Sequence, residues 1–77
     1  MNDARRKSLE GIKAKLQNAI ESIGTCLDDE QNYLEGIEES QSGSEKHEEA
    51  ETAIAELREA IDAIEGAIGN IESAIGD

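Results

Sequence analysis

In the second half of the chain, Ile54, Leu57, Ile61, Ile64, Ile68, Ile71 and Ile75 recur at alternating spacings of three and four residues. Apolar residues at that spacing share one side of an α-helix and form a seven-residue seam. Ala50 extends the seam one step earlier, and Ala53, Ala60, Ala67 and Ala74 run beside it at intervals of seven. Alanine flanking a seam widens the apolar face and lets another helix approach closely, which is the pattern of a bundle helix.

The first half is helical but less regular. Leu9, Ile12, Leu16, Ile20, Ile23, Leu27, Leu34 and Ile37 are expected on one face, with Ala19, Cys26 and Tyr33 at its edge. Glu30 falls where a seam residue belongs and interrupts the stripe. Between the halves, Ser40-Gln41-Ser42-Gly43-Ser44 is turn chemistry. Gly43 suits the left-handed conformation that ends a helix, and Ser44 suits a cap for the next one. The pattern predicts one domain over residues 1–77, with a helix over 3–39, a turn over 40–44 and a helix over 45–75. So short a connection returns the second helix antiparallel to the first.

The expected fold class is therefore all-α: an antiparallel, coiled-coil-like helical hairpin. A two-helix hairpin has one internal interface, yet both helices carry broad apolar faces. A long wet apolar stripe is rare on soluble monomers, and isoleucine at both seam positions favours more than two strands. A homodimeric four-helix bundle closes the stripe, with Ile54, Leu57, Ile61, Ile64, Ile68, Ile71 and Ile75 meeting Leu16, Ile20, Ile23 and Leu27 in the oligomer seam.

Composition supports this reading. The apolar content is mostly ten Ala, ten Ile and five Leu, with no Val, Phe, Trp or Pro, and Tyr33 is the one aromatic residue. Such a chain favours helix over strand. At 77 residues with a single cysteine, it has neither a large core nor an internal disulfide, so partner subunits are the expected source of stability. No stretch approaches the roughly 20 apolar residues of a membrane span. Arg5-Arg6-Lys7 is not followed by the apolar run of a secretory signal. With lone Cys26, the expected setting is a reducing cytoplasm.

The net charge of −12 argues against direct binding to nucleic acid or an anionic membrane, and fits a basic protein partner. The charge is uneven, +3 over residues 1–15 and −15 over residues 16–77. Asp28, Asp29, Glu30, Glu35, Glu38, Glu39, Glu45, Glu48, Glu49 and Glu51 gather at the turn end of the expected hairpin. Together with Tyr33 as an amphipathic anchor, they form a candidate partner-binding surface. The plainer reading is a solvated face. Arg5, Arg6, Lys7 and Lys13 form a candidate anion site. Their plainer role is to pair with Glu65, Glu72 and Asp77 once the chain folds back.

No other chemistry is expected. His47 and Glu51 are one turn apart, a spacing that can share a metal. One histidine and one distant cysteine do not make a zinc site, and no calcium-binding loop is present. A nucleophile beside a base and its orienting group is missing, as is a glycine-rich phosphate loop. Neither an enzyme nor a cofactor is expected. Gly66, Gly69, Ser73 and Gly76 leave the last turns small on their outer side, in keeping with a close-approach surface or a frayed end.

The order Arg5-Arg6-Lys7, Asp28-Asp29-Glu30-Gln31, Ser44-Glu45 and the Ala60-Ile61-Asp62-Ala63-Ile64-Glu65 repeat resembles small acidic helical proteins of bacteriophages and prophages. The resemblance spans most of the chain. It implies a cytoplasmic inhibitor of a host defence protein or enzyme, docked through the acidic helical surface. Two other roles fit the residues: an oligomeric sponge for a nucleotide or other small anion, and a purely structural self-assembling bundle.

Overall fold

The computed structural model describes residues 1–41 and 45–76, and side chains at all of these except 38–41. Helix α1 spans Asp3–Gln41 and helix α2 spans Glu45–Ile75, and they pack against each other as a hairpin. Helix α1 runs two residues past the expected end at Glu39. The proposed roles of Gly43 and Ser44 in the turn lie outside the described residues. The particle is a rod, 57 Å long and 15 Å across. The 39 residues of α1, at about 1.5 Å each, account for its length.

At the open end of the hairpin, the start of α1 and the end of α2 are closed by local chemistry. Asn2 caps α1, its Oδ1 accepting from the Arg5 amide at 2.8 Å. This meets one of the donors that a first helical turn leaves unpaired. Asp3 follows in the first turn, where negative charge suits the helix dipole, and pairs with Arg6 at 3.2 Å. At the other end of the chain Gly76 takes φ +74° and its amide donates to the Glu72 carbonyl at 3.2 Å. Gly76 is thus a left-handed helix stop and not part of the helical face expected for it. No basic residue stands in the last turn of α2. Arg6 of α1 fills that role across the hairpin, its Nε donating to the Ile75 carbonyl at 3.2 Å.

Ile37, Ala50, Ile54 and Ile68 are buried, Ala50 to 1% exposure. The remaining seam residues, among them Leu16, Ile20, Ile23, Leu27, Leu57, Ile61, Ile64, Ile71 and Ile75, are only half-buried. The seam of α2 follows the expected spacing throughout. That of α1 differs at one point: Ile12 is 45% exposed, and the side chain of Lys13 occupies the seam at 21% exposure. Counting four from Leu9 and three back from Leu16 places residue 13, not 12, on the inner line. The lysine stem lies along the apolar surface while its ammonium reaches carboxylates at the edge. Glu30, expected as the interruption, is half-buried there.

Candidate interaction surfaces

The corrected α1 seam sets what each side of the hairpin presents. One residue before alternate seam positions lie Ile12, Ala19, Cys26 and Tyr33 on α1, and Ala53, Ala60, Ala67 and Ala74 on α2. In an antiparallel helix pair, positions of this kind border the same side. The opposite side carries Glu10, Gln17 and Gln31 on α1, and Glu51, Arg58, Glu65 and Glu72 on α2. Two observations confirm that side. Gln31, Glu51 and Arg58 line one groove of about 460 Å³ over Leu34 and Ile54. Lys13 Nζ reaches both Glu10 and Glu72 at 3.5 Å. The rod thus has one charged flank and one flank of apolar, mostly small residues. Tyr33 and Ile12 stand out on the latter at 49% and 45% exposure.

The acidic residues collect at the turn end but not on one face. Asp28, Glu35 and Glu48 lie towards the charged flank, Asp29 and Glu49 towards the small-residue flank, and Glu45 on the outside, all of them exposed. Glu45, Glu48 and Glu49 also line a shallow depression of about 400 Å³ with Thr52. The side chains of Glu38 and Glu39 lie outside the described residues. The arrangement is an electronegative collar around the end of a rod. Counted along the sequence, residues 23–61 carry twelve acidic and two basic side chains, net −10. Residues 1–22 and 62–77, at the open end, carry seven and five, net −2.

Two of the four candidate anion-binding residues are engaged within the chain. Arg6 holds Asp3 and the Ile75 carbonyl, and Lys13 holds Glu10 and Glu72. Arg5 and Lys7 are exposed. His47 Nδ1 lies 3.2 Å from Glu51 Oε1, a one-turn pair within α2. Among the described residues no three metal-ligating side chains converge. Cys26 is an exposed thiol on the small-residue flank. No helix among the described residues is long and apolar enough to cross a membrane. The charged seam position at Lys13 escaped the sequence reading. The signal that reveals it is the unbroken three-four spacing through Leu9 and Leu16.

Fold and surfaces together define an all-helical hairpin with two chemically distinct flanks. Comparison of the chain with protein-family profiles, with curated proteins and with solved structures finds no match in any of the three.

Proposed function

We propose that the hairpin is a non-enzymatic binding protein that pairs with itself into a four-helix bundle and docks a basic protein surface through its acidic collar. Unsatisfied surface carries this reading. A compact monomer of 8.3 kDa is expected to expose about 4,600 Å², whereas the hairpin exposes 5421 Å². The excess, roughly 800 Å², follows from the rod shape, and side-by-side pairing of two rods would remove an area of that order. The half-buried isoleucines and leucines are what such an interface would cover.

The collar supplies the second half of the proposal. Counted along the sequence, residues 28–51 hold ten carboxylates, and those described stand around one end of a stiff rod, where they attract cationic surfaces and speed encounter with them. With the resemblance to phage proteins, the partner is a host protein with a basic surface, and binding inhibits it. The anion-sponge reading has less support, because Arg6 and Lys13 are already engaged internally.

Sedimentation equilibrium tests self-pairing: twice the 8.3 kDa chain mass supports it, and a monomer at micromolar concentration rejects it. Capture from host lysate tests the collar. Binding that weakens with salt and is lost on reversing Asp28, Glu35, Glu45 and Glu48 to lysine, all exposed and away from the small-residue flank, supports docking. Capture indifferent to those changes rejects it, and a dimer with no captured partner leaves a purely structural bundle.

A further inference from the structure

We infer that the second copy sits on the flank bearing Ile12 and Tyr33, with the two rods antiparallel and related by a two-fold axis that crosses them between Ala19 and Cys26. This rests on the proposed self-pairing and specifies its geometry.

The flank is singled out by what it lacks. From Ile12 to Tyr33 and from Ala53 to Ala74, none of its line positions is charged, whereas the opposite flank carries glutamates and Arg58. The two large side chains on it, Ile12 and Tyr33, are about half exposed, so their apolar surface has no use within one chain. They stand at either end of the line, with small Ala19 and Cys26 between them. A two-fold contact must match itself, and this order reads the same from both ends. An axis across the rods sets Ile12 against the partner copy's residue 33, and Ala19 against the partner copy's residue 26. On α2 it sets one alanine line against another running the opposite way. Small residues there permit close helix approach, near the lower end of the usual ~8–10 Å.

Charge chooses the direction. Lys15 and Asp29 border the flank on α1, three residues after Ile12 and Cys26 respectively. The antiparallel arrangement brings each Lys15 beside the other copy's Asp29. It also turns Glu56 towards the uncharged stretch of Ala63 and Asn70. The parallel arrangement instead stacks helix α1 on the other copy's α2 and gathers Asp29, Glu49 and Glu56 of both copies at one end. It would place the −10 half of one rod against the −10 half of the other, whereas antiparallel pairing sets each against a −2 half.

Cysteine crosslinking of the full chain decides it. Cys26 alone should not bridge the dimer, because the axis leaves the two thiol-bearing positions roughly 10 Å apart along the rods, seven residues at 1.5 Å. A disulfide needs Cα atoms about 4.4–6.8 Å apart. Ala19→Cys, with Cys26 retained, should form covalent dimers at least tenfold faster than wild type under mild oxidation. Adding Cys26→Ser should abolish this. Ile12→Cys with Tyr33→Cys, in the Cys26→Ser background, should bridge from the ends of the line, and Gln31→Cys in that background should not. If the chain has twice its single mass but neither pair accelerates crosslinking, the flank and direction are wrong while self-pairing stands. A single-chain mass removes the self-pairing on which the inference rests.

Discussion

The Nζ of Lys13 lies 3.5 Å from a carboxylate oxygen of Glu72, joining residues 59 positions apart in the chain. With Arg6 on the Ile75 carbonyl, it fixes the register of the two helices at the open end. Glu72 is more than half exposed, so the pair positions the helices more than it stabilises them. A double-mutant cycle over Lys13→Ala and Glu72→Ala should give a coupling below about 1 kcal/mol. A larger coupling in denaturant titrations would mean that the pair is shielded from water.

The two charged seam positions are where stability can be gained. Burying a leucine side chain is worth roughly 1.5–3 kcal/mol, more than a solvent-screened ion pair. Glu30→Leu, between Leu27 and Leu34 on the inner line, should raise stability by about 1–2 kcal/mol. Lys13→Leu should gain less, because the lysine stem already covers part of the surface. Thermal unfolding by circular dichroism measures both, and a lower midpoint for Glu30→Leu would refute the seam assignment.

Ile54 and Ile12 should respond differently to the same truncation. Ile54 is 6% exposed, and Ile54→Ala should cost about 2–4 kcal/mol. Ile12→Ala should leave helix content unchanged and act on self-association, so its effect should depend on protein concentration. Equilibrium unfolding at several concentrations separates the two. An equal, concentration-independent loss at both sites would contradict the outward position of Ile12.

Gly66 and Gly69 lie within α2, and a Cβ at either meets nothing within 4 Å. Gly66→Ala and Gly69→Ala should each stabilise by roughly 0.5–1 kcal/mol, because alanine gives up less freedom in a helix. Gly76→Ala should do the reverse, since φ +74° strains any residue with a Cβ. Thermal midpoints of the three variants should therefore split in sign.

Crowded carboxylates repel one another, and salt screens them. Raising sodium chloride from about 10 mM to 0.5 M shortens the screening length from roughly 30 Å to under 5 Å. The thermal midpoint of the free protein should rise as a result, despite weaker pairs at Arg6 and Lys13. Charge reversal at Glu48 and Glu49 should flatten that dependence. A midpoint that falls with salt would show that attraction outweighs repulsion.

Where the fold was readable in the sequence follows from how the residues carry the signal. Helix α2 is legible because each seam position from Ile54 to Ile75 is aliphatic. The phase of α1 is not, because Lys13 lies on the inner line beside an isoleucine that does not. Hydrophobicity alone picks Ile12, and only the spacing from Leu9 to Leu16 corrects it. The caps were within reach: Asn2 before Asp3, and Gly76 after the last isoleucine, are ordinary stop and start residues. The alanine half of the small-residue flank shows in the sequence as a strict seven-residue repeat. Of its other half, Ala19, Cys26 and Tyr33 already stand at the edge of the α1 stripe in the sequence, and Ile12 joins them only once the seam is set. The grip of Arg6 on Ile75 depends on register between distant segments, which local pattern does not encode.

The hydrogen bond from Arg6 to Ile75 has a practical corollary. It draws the first and last turns of the rod together, so anything joined to either terminus emerges at the same pole. The electronegative tip of the same rod lies up to 57 Å away, but in the antiparallel pair inferred above the other copy's termini emerge beside it. A bulky fusion partner at Met1 would therefore crowd the neighbouring copy's tip and hinder its meeting with a target, so a short tether is the better attachment there.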